Sequence, residues 1–153
     1  MVLVTVGTQK QSFIRMLKMV ENSKSLENEE IIAQIGNTKF DSDKIKCFKF
    51  IKNEDMENYI EKADLIITHA GVGLIFECLH KNKRVIAVPR LKKYKEHIND
   101  HQLEICDMLE KEGYIISCLE NDNLDEKINF IKSKELKKYE RNEDFLEILK
   151  KEI

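Results

Sequence analysis

Apolar residues along this chain fall in short runs, separated by stretches in which they recur at helical spacing. Val2 to Val6 is such a run, closed by Gly7, and reads as a buried strand. After Ser12, the residues Phe13, Ile14, Leu17 and Val20 share one face of a helix. Ile31 to Ile35 forms a second strand closed by Gly36, and Ile45 to Ile51 alternates apolar and basic residues as a third strand does. A short helix follows at Met56 to Lys62, and Leu65-Ile66-Ile67 makes a fourth strand that runs directly into Gly71-Val72-Gly73. Leu74 to His80 is helical in pattern, and Arg84 to Val88 is a fifth strand stopped by Pro89, the only proline. Glu96 to Lys111 reads as one amphipathic helix, Tyr114 to Ser117 as a sixth strand, and two helices are expected near 122–133 and 134–151.

Strands that alternate with helices over short connections predict right-handed crossovers and a parallel sheet covered on both faces. The expected fold class is α/β: one Rossmann-like domain over residues 1–153, with about six parallel strands flanked by helices. Ligands of such sheets lie outside the carboxyl ends of the strands. That rule selects the loops after Val6, Ile51, Thr68 and Val88 before any motif is weighed.

Composition narrows the classes. The 153 residues suffice for one domain with its own core, and the net charge of −2 implies no general affinity for polyanions. The most basic stretch, Arg90-Leu91-Lys92-Lys93-Tyr94-Lys95, is short and reads as a solvated loop, so no nucleic acid partner is expected. No apolar run approaches the roughly 20 residues that span a bilayer. The first residues read as a strand rather than a leader, so an intracellular protein is expected. Cys47, Cys78, Cys106 and Cys118 form no C-x-x-C pair and read as reduced structural thiols.

The loop Thr68-His69-Ala70-Gly71-Val72-Gly73-Leu74-Ile75-Phe76-Glu77 carries the most information. Two glycines open a helix after a buried strand, which allows close approach of a ligand to the backbone. The free N–H groups of the first turn, with the helix dipole, favour an anion such as phosphate; a tight turn without a ligand is the alternative. Phe76 replaces the third glycine of a dinucleotide fingerprint, and Val88-Pro89-Arg90 offers no acidic residue to a ribose, so a dinucleotide site is not expected. Glu77 sits within reach of the ligand mouth, as a ribose acceptor or as an ordinary surface glutamate. Gly7-Thr8-Gln9 lines a phosphate or makes a plain turn. His97 and His101, spaced i, i+4, are placed on one helical face with Asp100, Gln102 and Glu104 nearby. That composition suits hydrogen bonding to a polyhydroxylated ligand, or a solvated helix start, better than a metal. Asp41-Ser42-Asp43 is a D-x-D sequence in a polar turn away from the ligand edge.

In order and spacing, Val4-Thr5-Val6-Gly7-Thr8, His69-Ala70-Gly71-Val72-Gly73 with Glu77, and Val88-Pro89-Arg90 through Glu96-His97 and Asp100-His101-Gln102-Leu103-Glu104 resemble the glycosyltransferase family 28 C-terminal domain. More closely, they resemble the short catalytic subunits of two-part UDP-sugar transferases, from the dolichol pathway and from bacterial capsule or exopolysaccharide assembly. The resemblance covers nearly the whole chain and implies the C-terminal half of a GT-B fold. It implies uracil held at Phe50-Ile51, donor phosphates at Val72, Gly73 and Leu74 with Gly71 and at Gly7-Thr8, and ribose on Glu77. It places the family's sugar-contacting glutamine pair near His101 and Gln102, of which only Gln102 keeps the residue type; Asp100 belongs to the composition reading alone.

The resemblance further implies transfer of a hexose, N-acetylhexosamine or uronic acid to a lipid-linked acceptor, with inversion and with neither metal nor cofactor. A GT-B active site lies between two domains, and one open donor half cannot by itself position an acceptor and exclude water. A separate acceptor-binding partner is therefore expected, and the resemblance implies that it is membrane-anchored and recruits this cytoplasmic chain to the inner membrane face. The apolar stripe Leu136, Tyr139, Phe145, Leu146 and Leu149 either docks on that partner or packs on its own sheet. No general base is identified; His69 and His97 are the candidates, and His69 is also counted among the residues that bind the substrate. The alternatives are a non-catalytic enhancing subunit and a UDP-binding regulator, while a two-domain sugar-nucleotide epimerase needs a longer chain.

Overall fold

The computed structural model describes residues 1–140 and residue 147. Its six strands are β1 (Val2–Thr5), β2 (Ile31–Gln34), β3 (Ile45–Phe48), β4 (Leu65–His69), β5 (Val85–Val88) and β6 (Ile116–Ser117). All neighbouring pairs are parallel, in the order β3-β2-β1-β4-β5-β6. The winding reverses between β1 and β4, which pair with Val2 opposite Leu65 and Thr5 opposite Thr68. Five helices are described: α1 (Ile14–Glu21), α2 (Asn53–Lys62), α3 (Val72–His80), α4 (His101–Lys111) and α5 (Leu124–Ser133).

The strands are buried on both faces, which is why their sequences read as continuous apolar runs. Side chains still alternate within them. Val2, Val4 and Val6 face one core, which α1 closes with Met16 and Leu17 and α5 with Ile128 and Ile131. Leu3, Ile32 and Ile66 face the other core, under Ile60 of α2, Cys78 of α3 and Leu109 of α4. None of the four cysteines pairs. Burial pushes the Cys78 and Cys106 thiols up to about 12 and Cys118 to about 11, so all three stay protonated and inert at neutral pH. Among the described residues, no helix is long and apolar enough to cross a membrane.

Two helix ends follow directly from local chemistry. Gly113, at φ +82°, closes α4: its N–H reaches Glu110 O at 2.9 Å, and the Tyr114 N–H reaches Leu109 O at 3.1 Å. This is the paired bonding of a left-handed helix stop. Asn82 ends α3 in the same manner, at φ 57°. The Tyr114 N–H is thus taken by the helix, and β6 starts at Ile116 rather than at Tyr114.

Two larger differences from the sequence pattern concern helices. The helix expected from Glu96 begins only at His101. Residues 92–94 instead make a short 3-10 turn that ends at Lys95 with φ 58°. The Glu96 carboxylate accepts from the Leu91 N–H, Asp100 from the Lys92 N–H and Asn99 from the His101 N–H. Side chains that bond nearby backbone compete with the helical ladder, and here they win. His97 therefore lies in a loop and does not share a helical face with His101.

The helix expected from residue 134 does not start there either. Lys134 leaves α5 with φ −101° and ψ 137°, and residues 134–140 form no regular element. Phe145, Leu146 and Leu149 fall outside the described residues. Leu136 packs against the α1–α5 core, whereas Tyr139, 8% exposed, belongs to the α2–α4 core, where its ring meets Phe76, His80 and Tyr114. These two members of the proposed docking stripe thus serve their own domain. Replacing Tyr139 with Ala is expected to cost about 3 kcal/mol, the usual loss for a buried aromatic. Urea unfolding of the isolated chain measures this; an unchanged midpoint would show that the ring does not hold the domain together.

Candidate functional site

At the carboxyl edge of the sheet, astride the β1/β4 reversal, lies a cleft of about 360 Å³. One wall is the loop after β1, with Gly7, Thr8 and Gln9; the opposite wall is Phe50 and Ile51, leading into Asn53 and Met56 of α2. The start of α3 closes the third side with Gly71, Gly73, Leu74 and Glu77. Phe50 is 52% exposed, an apolar ring held at the mouth in contact with water.

The helix start is bare. Gly71 is the N-cap of α3, no side chain caps it, and no acidic residue stands in the first turn. The amides of Val72, Gly73 and Leu74 precede the first intrahelical bond, from Ile75 N–H to Gly71 O. A Cβ added at Gly73 would meet nothing within 4 Å. Unsatisfied donors, the positive end of the helix dipole and open space combine at one point, which is the arrangement that binds phosphate.

The floor rests on a residue that the apolar pattern did not single out. Gln34 ends β2 with 3% exposure, and all its bonds run within the protein. Its Oε1 accepts from the Thr5 hydroxyl at 2.6 Å and from the Gly7 N–H at 3.2 Å. Its Nε2 donates to Gly7 O at 3.1 Å and to Lys49 O at 3.0 Å. Gln34 thus fixes the Gly7 turn, at φ 86°, relative to the Lys49–Ile51 segment, which leaves the sheet at Phe48 rather than continuing β3 to Ile51. The visible signal was one amide in an otherwise apolar strand.

His69 stands between the two glycine turns. A Cβ at Gly7 would lie 2.5 Å from its Nε2, and a Cβ at Gly71 would overlap the same ring. Glycine is needed at both positions to admit the imidazole. Burial chiefly, then the Arg90 and His97 charges, depress its pKa from 6.5 to about 3, so the ring is neutral at physiological pH.

Behind this site lies a charged hub that was also missed. Arg90 has 0% exposure, and its guanidinium donates to Val6 O, Gln11 O and Glu96 O while lying over the Phe13 ring. Glu96 in turn takes two bonds from Arg15, at 3.0 and 2.9 Å. The basic stretch that begins at Arg90 is thus solvated only after its first two residues; Arg90 and Leu91 are buried.

The remaining expected residues separate from the cleft. Val72, His97, His101 and Gln102 line a smaller hollow of about 100 Å³, reached past Gly71 and Gln9. His97 Nε2 lies 3.0 Å from the Gln9 amide, and His101 pairs with Glu104 at 3.2 Å. Gln102, 4% exposed, bonds the backbone of Ala70 and Arg90. Asp100 lines neither hollow, since its carboxylate holds the Lys92 N–H on the exposed side. Asp41 and Asp43 are exposed in the turn before β3, at the opposite edge of the sheet. Among the described residues, no three His, Cys, Asp or Glu side chains converge as metal ligands would.

The model of the glycosyltransferase family 28 C-terminal domain matches residues 1–152. The chain belongs to that family. The human UDP-N-acetylglucosamine transferase subunit ALG13 is 34% identical over 128 residues, which is 76% of this chain and 11% of that protein. The ALG13 subunit of Candida albicans is 34% identical over 105 residues, 69% of this chain and 30% of that protein. The chain thus spans a third or less of these relatives' lengths. The solution structure of ALG13 superposes with a TM-score of 0.66 at 21% identity, covering 97% of this chain and 94% of that one. The glycosyltransferase of kitacinnamycin gives the same score at 16% identity, covering 99% of this chain and 37% of its own. The fold is that of the C-terminal half of a GT-B glycosyltransferase.

The depressed His69 pKa carries a stability signature. The unfolded ring takes a proton near pH 6.5 and the folded ring only near pH 3, so the unfolded state binds more protons between those values. Stability is therefore lost as pH falls through that window, by up to about 1.4 kcal/mol per pH unit. Denaturant titrations of wild type and His69→Gln between pH 7 and 4 should show a steeper fall in wild type; parallel curves would mean that the folded ring titrates normally.

Proposed function

We propose that this chain is the donor-binding subunit of a UDP-sugar-dependent glycosyltransferase that works with a separate acceptor-binding subunit. The observation that carries this reading is the bare α3 N-terminus, which opens onto a cleft with a half-exposed ring at one end and a carboxylate at the other. A pyrophosphate fits the amides of Val72, Gly73 and Leu74, with Gly7 and Thr8 across the cleft. The uracil lies against Phe50 and Ile51, where backbone can pair with its edge. The Glu77 carboxylate accepts from the ribose hydroxyls. Family 28 membership and the ALG13 relatives, named as subunits of a UDP-N-acetylglucosamine transferase, support the nucleotide and the division into subunits.

In the reaction, an acceptor hydroxyl attacks the anomeric carbon as the bond to the UDP oxygen breaks. The diphosphate leaves with the electron pair, and the configuration inverts. The amides of the α3 start stabilise the charge that develops on the leaving group, without a metal. The proton of the acceptor passes to a base, which this reading places on the partner. The sugar is a hexose, N-acetylhexosamine or uronic acid, and the acceptor is lipid-linked, as in capsule or exopolysaccharide assembly. A membrane-anchored partner holds that acceptor and brings this chain to the cytoplasmic face of the membrane.

Glu77→Ala is expected to weaken UDP binding about tenfold, the worth of a charge-assisted hydrogen bond. Calorimetry on the full chain reads this, and unchanged affinity removes the ribose assignment. Co-expression with membrane-anchored candidate partners, followed by a screen of UDP-sugars against lipid-linked acceptors, tests the activity. Saturable UDP binding without transfer in any pairing would point instead to a regulatory subunit.

A further inference from the structure

Gln102 begins the buried face of α4, yet its side chain reaches across the ends of two strands. Its Oε1 accepts from the Ala70 N–H at 3.1 Å and from the Arg90 N–H at 3.0 Å. Both partners are amide donors, so the end of the side chain that faces them is the oxygen, and the NH2 group points the other way. There it meets His69 Nδ1 at 3.2 Å. An NH2 group can only donate, so Nδ1 is an acceptor and carries no proton. In a neutral imidazole the proton then sits on Nε2. Nε2 is the atom that lies against Gly7, on a residue that lines the large cleft.

We propose that Gln102 is a positioning residue that locks His69 as the Nε2–H tautomer, so that the ring presents a hydrogen-bond donor to an anionic oxygen in the cleft. This rests on the reading of the cleft as a diphosphate site and assigns Gln102 a role other than touching the sugar. The chain of cause runs through two backbone amides. Ala70 and Arg90 fix the orientation of the Gln102 amide, the amide fixes the Nδ1 lone pair, and the lone pair fixes Nε2–H. The charged and titratable groups around the ring are Arg90, at the end of β5, and His97, in the loop before α4; both oppose a second proton on His69.

The tautomer is read directly from the histidine ring nitrogens by long-range proton–nitrogen correlation spectroscopy on the full-length chain, with His69→Gln used to assign the signals. The expected spectrum shows His69 with a protonated Nε2 and a bare Nδ1 from pH 5.5 to 8. A protonated Nδ1 in wild type overturns the proposal. Gln102→Glu keeps an acceptor for Ala70 and Arg90 but cannot donate to Nδ1. In that variant the proton is expected on Nδ1, and a spectrum like that of wild type overturns the proposal as well.

UDP provides the second readout. On saturation the wild-type Nε2 shift should move, and Gln102→Glu should bind about tenfold more weakly than wild type at pH 8. The difference should narrow toward pH 6, where the new carboxylate helps Nε2 regain a proton. A merely structural glutamine predicts a gap that does not change with pH, which would overturn the role in binding. If UDP does not bind wild type at all while the nitrogen signals are as stated, the proposed function fails and the tautomer assignment stands.

Discussion

The Arg90 guanidinium has no contact with solvent and donates to carbonyls of three separate segments: Val6, Gln11 and Glu96. Removing a cation from water costs several kcal/mol, and the cost is offset only when hydrogen bonds and a counter-charge are close. Here the Glu96 carboxylate supplies the charge, and Arg15 balances it on the far side. Burial and incomplete compensation pull the Arg90 pKa down to about 10, yet it stays charged at neutral pH. The loops after β1 and β5 are therefore pinned to one another. Through Val6 this ion fixes the strand end that carries the Gly7 wall of the cleft.

Where the sequence could be read, period and punctuation were enough. Alternating buried runs located all six strands, and the loops after β1, β3 and β4 do converge on one cleft with Gly7, Phe50, Gly73 and Glu77 around it. The glycines were legible as turns open to a ligand, but at Gly7 and Gly71 the missing Cβ admits the His69 ring, whereas Gly73 stands in open space. What was not legible came from long-range hydrogen bonds. Gln34 and Arg90 act across separations of 27 and 84 residues, and nothing in their neighbours announces this. The start of α4 was misread because Glu96 and Asp100 look helix-compatible in a pattern but fold back onto the Leu91 and Lys92 amides, while Asn99 takes the His101 amide that a helix from Glu96 would need. The fate of residues 134–140 was misread because an apolar stripe at helical spacing is also what a segment shared by two cores requires.

The site divides its polar groups into two kinds. Gln34, Gln102, Arg90 and Glu96 are held by internal bonds and set positions. The amides that open α3 reach the cleft without a side-chain cap, and the proposed Nε2–H of His69 joins them. An anion entering there meets groups that need no rearrangement, since their supports are already bonded. Such a surface suits a leaving diphosphate, whose charge grows during bond breaking.

The stretch after α5 has a consequence for cooperativity. Arg84, just before β5, donates to the last carbonyls of α5 at Ile131 and Lys132, while the Lys137 N–H bonds Gly113 O beyond α4. Between them, Leu136 enters one apolar layer and Tyr139 the other. One short stitch therefore runs through both sides of the sheet at its amino edge. Neither layer can peel away without dragging on the other, so the domain is built to melt in a single step.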